Sequence, residues 1–259
     1  MLVAHVSDFH VLEQGRLLKD RFDTRSSLER LAGRLTALTP QPDLLIISGD
    51  LGEDATAAEY VHVGSLLASL DLPILAVPGN HDLRAPLLHN LPDLFVATRD
   101  GFLCRTVKAG THIFIGLDTL VEGAGHGSLC PKRLAWFDET LAQTKGHRRV
   151  VVMHHPPIDT GITSMDEIGL NEGKAEFAEL ISKHGNIELI LCGHIHRAIH
   201  GVFAGVPVRV APSSSHQFAC DTTPGAPFRF TTEPAQFMLH VFGLGEAPVT
   251  HTLYVEDFG

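Results

Sequence analysis

The sequence predicts an α/β fold in which two facing mixed β-sheets are flanked by helices. Three observations carry this. Short apolar runs of Val, Ile and Leu alternate with stretches of helical periodicity through the first half of the chain. Five of those runs stop at a polar cluster: Leu2–Val6 before Ser7-Asp8-Phe9-His10, Leu44–Ile47 before Gly49-Asp50, Ile74–Val77 before Gly79-Asn80-His81-Asp82, Val150–Met153 before His154-His155-Pro156-Pro157, and Ile187–Leu191 before Gly193-His194-Ile195-His196. After that last cluster the pattern turns to strands alone.

In chain order, Leu28, Leu31, Leu35 and Leu38 mark a helix over about Arg25–Leu38, which Pro40 and Pro42 end. Tyr60, Val63, Leu66, Leu67 and Leu70 mark a second over about Thr56–Leu70. With the three strands around them these helices make a βαβαβ unit, which implies parallel strands and right-handed crossovers. Phe102–Val107 and His112–Leu117 read as strands joined at Ala109-Gly110. Pro131 suits the first turn of a helix running to about Thr144. Arg149–Met153 then reads as a strand, Glu172–His184 as a helix and Ile187–Cys192 as a strand, with further strands at Val206–Val210, Phe228–Thr232, Phe237–Phe242 and Val249–Val255. Gly and Pro do not pool at any boundary, so one domain over residues 1–259 is expected, with a β-rich C-terminal extension from about residue 218. Arg84–Asp100 and His155–Asn171 lack a clear period and follow candidate site residues, which makes them candidate pocket walls.

The chain has 259 residues, 44% hydrophobic and 19% charged, as in an ordinary globular protein. No apolar stretch reaches the ~20 residues a membrane-spanning helix needs, and Met1–His5 reads as a strand and not as a signal peptide, so a cytoplasmic location is expected. A net charge of −10 without any Lys/Arg cluster argues against a nucleic-acid or anionic-membrane surface. It leaves room for a small anionic substrate, because bound cations would reverse the local field. Cys104, Cys130, Cys192 and Cys220 form no C-x-x-C pair and read as free thiols, Cys192 as a small buried filler.

Side chains just beyond the carboxyl ends of strands in an α/β sheet converge on one crevice. Here they are Asp, His and Asn, the ligand set of a hard-to-borderline divalent metal, and five strands supply too many ligands for one ion. Two ions are therefore expected. Asp8 and His10, two apart, fall on one side of an extended segment. Gly49 allows a tight turn before Asp50, whose two oxygens can bridge two cations. Asn80 offers a weak neutral oxygen, and the adjacent His81 can reach outward as a proton donor. His154 lies nearer its strand than His155, so His154 is the candidate ligand and His155 the supporting residue that orients it. His194 and His196 present two imidazoles on one side. Each cluster alone also fits a surface turn, a helix cap or packed histidines; their joint order at strand ends favours the metal reading. His5 reads as a satisfied core residue, and Trp136 as packing.

Taken in this order, the five clusters resemble those of the calcineurin-like metallophosphoesterase superfamily, over roughly the first 200 residues. The Ser-Asp-Phe-His start, the His-His-Pro-Pro form, and Cys-Gly-His-Ile-His-Arg followed by Ala211–Gln217 are similar to its class III branch of cyclic-nucleotide and glycerophosphodiester phosphodiesterases. The resemblance implies a four-layer αββα sandwich. It implies one ion on Asp8, His10 and His196, another on Asn80, His154 and His194, and Asp50 bridging them; the nitrogen-and-oxygen ligand set suits Mn, Fe, Zn or Co, divalent or of mixed valence, without choosing among them. It further implies in-line attack on a small phosphodiester by a hydroxide shared between the ions. Asp50 and His81 then serve catalysis, His81 by contacting the phosphate or protonating the leaving group, and Asn80, His81 and His216 approach the substrate. A phosphomonoesterase or pyrophosphatase on the same site is the enzymatic alternative. A nuclease would favour a more basic surface, and a non-catalytic scaffold would have lost ligands. The β-rich C-terminal segment is a candidate for self-association or for covering the pocket.

Overall fold

The apolar runs fold as strands because their branched side chains are buried on both faces, and the computed structural model places them in two sheets. Residues 1–245 and 247–257 are described. In chain order the strands are β1 (Leu2–Val6), β2 (Leu44–Ile47), β3 (Ile74–Ala76), β4 (Arg105–Ala109), β5 (His112–Leu117), β6 (Gly127–Ser128), β7 (Arg148–Met153) and β8 (Leu170–Glu172). They continue as β9 (Ile187–Cys192), β10 (Ile199–Phe203), β11 (Val206–Val210), β12 (Gln217–Phe218), β13 (Phe230–Thr231), β14 (Gln236–Val241) and β15 (Val249–Tyr254). The helices are α1 (Thr24–Thr36), α2 (Ala57–Ala68), α3 (Arg84–Asn90), α4 (Pro131–Gln143), α5 (Thr163–Asp166) and α6 (Lys174–His184).

The first sheet has the order β15-β14-β1-β2-β3, with β1, β2 and β3 parallel and β14 and β15 antiparallel. The second has the order β10-β11-β9-β7-β5-β4, with β5, β7, β9 and β11 parallel and an antiparallel strand at each edge. Val3, Leu44, Ile46 and Leu75 of one sheet meet Phe114, Val150, Val152 and Leu189 of the other in a shared core. The outer face of the first sheet is covered by α1, α2 and α3 through Leu31, Leu35, Val63 and Leu87. The outer face of the second is covered by α4 and α6 through Phe137, Leu141, Phe177 and Ile181. The layers are therefore helix, sheet, sheet, helix, as expected.

Local signals start the helices. Asp23 accepts from Ser26 N to cap α1, Thr56 and Glu59 form a capping box on α2, and Pro131 occupies the first turn of α4. Several sequence expectations change. The strand expected at Phe102–Val107 starts later, at Arg105, and β10 was not anticipated at all. Of the C-terminal strands, β14 and β15 belong to the first sheet through β1, whereas β12 and β13 form a separate two-stranded sheet. The segment Arg84–Asp100 contains α3 and buries Leu87, Leu91 and Phe95 in the first outer core, and the cavity that its Asn90–Leu94 stretch lines lies against α2, not against the polar clusters. Cys192 is fully buried and all four cysteines are free. Among the described residues no helix is long and apolar enough to cross a membrane.

Candidate metal centre

β1, β2, β3, β7 and β9 all end at the same edge of the sandwich, and each runs directly into one of the five polar clusters. The chain bends sharply to deliver them. Asp8 (φ 56°), His10 (46°), Asp50 (54°), His194 (73°) and His196 (51°) are all left-handed, five of the eleven such non-glycine residues described. Each costs on the order of 1–3 kcal/mol and persists only where its surroundings impose it. Here they do: Asp8 N donates to Gly49 O (3.0 Å), His10 N to Asp50 O (3.0 Å), and His194 N to both oxygens of Asp8 (3.1 Å each). Gly49 and Gly79 let two strand ends touch, since a Cβ on Gly49 would lie 2.9 Å from the Gly79 Cα.

The seven candidate ligands fall into two groups joined at Asp50. In the first, His10 Nε2 lies 3.1 Å from His196 Nε2 and 3.3 Å from Asp50 Oδ2, and His196 Nε2 lies 3.3 Å from Asp8 Oδ1. In the second, Asn80 Oδ1 lies 3.0 Å from His154 Nε2 and 2.9 Å from His194 Nδ1. Asp50 Oδ2 is also 3.4 Å from His154 Nε2, so one oxygen stands between the groups.

The chemistry of the rings tests whether cations fit. His154 Nδ1 donates to Ser48 O (2.7 Å) and His196 Nδ1 to His216 O (3.2 Å), while His10 Nδ1 faces Glu53 Oε2 at 2.6 Å. A proton fixed on each Nδ1 leaves each Nε2 lone pair aimed at the shared space, the arrangement of metal-ligating histidines. All seven side chains except Asn80 are buried, and the donor atoms of Asp8, His10, Asp50 and His196 lie within 4.8 Å of one another. The residues present fit two divalent ions.

Electrostatics agree. Burial opposes ionisation of Asp50, yet the neighbouring His154, His81 and His10 hold its carboxyl well below the usual range. Burial likewise opposes charge on His10 and His154, but Asp50 outweighs it and both are pushed up to about 9. His194 goes the other way, to about 3, through burial and then the charge of His154. Without ions, then, protons on His10 and His154 balance the carboxylates of Asp8 and Asp50.

Both ring nitrogens of His155 are occupied, Nδ1 by Thr119 Oγ1 (2.8 Å) and Nε2 by Gly125 O (3.1 Å), which leaves none for an ion. Its ring packs 4.6 Å from that of His194. His81 is about a third exposed, with its N–H on Asp50 Oδ1 (2.8 Å) and its ring edge-on to His10 at 4.6 Å. His216 is buried beside the first group, 4.6 Å from the His196 ring and 5.3 Å from that of His10.

Two residues were not read from the sequence. Glu53 faces His10 and His81, and Asp82 is a buried staple between the ends of β2 and β3. Asp82 accepts from Leu51 N, Gly52 N, Gly79 N (2.9 Å) and Tyr60 Oη (3.0 Å). Burial and the nearby Asp50 push its carboxyl up to about 6. The only sequence signal was position: Glu53 comes three residues after Asp50, and Asp82 closes the Gly79-Asn80-His81 cluster.

A family model described as calcineurin-like phosphoesterase matches residues 1–198. A probable glycerophosphodiester phosphodiesterase, GpdQ, of Arcobacter nitrofigilis is 31% identical over 258 residues, covering 100% of this chain and 94% of its own length. A probable cyclic nucleotide phosphodiesterase of Rhodopseudomonas palustris is 32% identical over 225 residues, covering 83% of this chain and 79% of its own. Among solved structures, a dimetal phosphatase from Danio rerio superposes with a TM-score of 0.68 at 14% identity, covering 99% of each chain, which is a likeness of fold.

Proposed function

Because this chain belongs to the calcineurin-like phosphoesterase family, we propose that it hydrolyses small phosphodiesters at a two-metal site. In this reading Asp8, His10 and His196 hold one divalent ion, Asn80, His154 and His194 hold the other, and Asp50 touches both. The observation that carries it is the position of Asp50 Oδ2, 3.3 Å from His10 Nε2 and 3.4 Å from His154 Nε2. When bound, two divalent ions neutralise the phosphoryl oxygens and acidify water for in-line attack.

The chain supplies the rest. Strained ligand backbones are held by hydrogen bonds from neighbouring strand ends, so little reorganisation is left for the reaction. His81, the most exposed of the site's imidazoles, stands where it can give a proton to the departing alkoxide, the step a poor leaving group needs. Asn80 and His216 complete the substrate-facing set, Asn80 at the open side and His216 beside the first group. The candidate ligand set holds only carboxylates, imidazoles and one amide, and in this reading water attacks the phosphorus directly. Both relatives are named for phosphodiester substrates, a glycerophosphodiester and a cyclic nucleotide. The acidic surface, −10 overall, favours a small substrate over a polynucleotide.

The test is metal-dependent turnover of bis-p-nitrophenyl phosphate against p-nitrophenyl phosphate, followed by a panel of cyclic nucleotides and glycerophosphodiesters. Diester turnover that chelation abolishes supports the proposal. A preference for the monoester would replace it with a phosphomonoesterase, and no turnover with metals bound would replace it with a metal-binding scaffold.

A further inference from the structure

Three histidines aim Nε2 at the proposed metal sites, and what holds the opposite nitrogen differs among them. His154 and His196 donate Nδ1–H to backbone carbonyls, those of Ser48 and His216. His10 alone meets a carboxylate, Glu53 Oε2, at 2.6 Å. The same oxygen lies 3.2 Å from His81 Nδ1, and His81 Nδ1 is also 3.2 Å from the main-chain carbonyl of Glu53. The two imidazoles therefore depend on the carboxylate unequally. His81 keeps a carbonyl partner if the carboxylate is lost, whereas among the contacts described His10 Nδ1 keeps none.

We propose that Glu53 is the positioning residue of His10: it fixes the Nδ1–H form of that ring, directs Nε2 toward the Asp8, His10 and His196 group, and adds a negative charge behind that group alone. This rests on the two-metal reading above and goes beyond it, because it makes the two sites unequal through a residue that is not itself a ligand. A carboxylate bonded to the far nitrogen makes an imidazole a stronger ligand, and losing such a partner typically weakens metal affinity about 10–100-fold. The Glu53 side chain is 18% exposed and lies at the rim of the site, not in either hydrophobic core.

The experiment is calorimetric titration of metal-free protein with Mn²⁺, comparing wild type with Glu53→Gln and Glu53→Asp. Glutamine keeps the shape and an oxygen acceptor but removes the charge. The expected result is two binding events in wild type, with only the tighter weakened by about 10–100-fold in Glu53→Gln, partial recovery in Glu53→Asp, and unchanged thermal unfolding of the metal-free proteins. Two unaltered affinities in Glu53→Gln would overturn the proposal while leaving the two-metal reading intact. Fewer than two binding events in wild type would instead sink that reading. Loss of thermal stability in step with affinity would make Glu53 a structural residue and would also overturn the proposal.

Discussion

Gly79 sits where the chain leaves β3, pressed against the turn that carries Asp50, and a single methyl group there should dismantle the centre. A Cβ at this position would lie 2.7 Å from the Asp50 carboxyl carbon and would overlap the Asp50 backbone nitrogen. Carbon atoms pack at about 3.5–4.0 Å, so the carboxylate must retreat by roughly 0.8 Å or more. Metal–ligand distances tolerate only about 0.2 Å, a quarter of that displacement. Asp50 cannot swing aside freely, because it is buried and its Oδ1 accepts from His81 N at 2.8 Å. Gly79→Ala should therefore lose about 100-fold in kcat/KM on a diester substrate, the scale set by misplacing a reacting group by about 1 Å. Its overpacking should cost about 1–3 kcal/mol of stability. Gly33→Ala is the control: that glycine is exposed on α1 with nothing within 4 Å of an added Cβ. It should gain about 0.5–1 kcal/mol and leave activity unchanged. Metal titration, diester kinetics and thermal unfolding on both variants decide the matter. A Gly79→Ala protein that binds two ions at wild-type affinity and keeps its turnover would refute the shared role of Asp50.

Asn80→Ala should release the ion on the His154 and His194 side first, since a neutral amide is the weakest of the candidate ligands; equal loss of both ions in a metal titration would contradict this. Metal binding should expel protons, because His10 and His154 sit at about 9 in the metal-free protein. Apparent affinity should rise as pH climbs from 6.5 to 8.5, by about tenfold per unit for each displaced proton, and a flat profile would argue against these rings as ligands. Running from Ser48, next to the centre, into the first sheet, His5 and His240 form a buried chain, with His5 Nε2 on Ser48 Oγ (2.9 Å), His5 Nδ1 facing His240 Nε2 (3.3 Å) and His240 Nδ1 on Thr250 Oγ1 (2.9 Å). Burial lowers His5 to about 3 and puts His240 well below its ordinary value. The unfolded chain takes up protons below about 6.5 that the folded chain refuses, so this contribution is present above 6.5 and lost as pH falls. Replacing both by Asn should flatten the loss of stability between pH 6 and 4 by up to about 2.7 kcal/mol per pH unit, measured by urea unfolding of metal-free protein; an unchanged slope would contradict it.

Much of this architecture is legible because burial and chemistry are written side by side in the chain. Each of the five strands that reach the site is mostly Val, Ile, Leu or another apolar residue, and the residue types change abruptly where it ends. The leucine spacing of α1 and the capping box of α2 are equally local. What could not be read is non-local or hidden in the backbone. The pairing of β14 with β1 joins residues some 240 apart, and nothing near Gln236 announces it. β10 carries Gly201 and His200 among its apolar residues and so lacks a clean strand signature. Glu53 and Asp82 act through residues they meet only in space. The left-handed turns at Asp8, His10 and His196 occupy positions where glycine would be expected, so their strain surfaces only in three dimensions.

The most direct test of the two-metal centre is to strip the protein with chelator, add back Mn²⁺ by known equivalents, and follow diester turnover against metal content measured on the same samples. Turnover absent in the stripped protein and rising to a plateau at two ions per chain is the expected result. Turnover that survives stripping, or that saturates at a single ion, would contradict it.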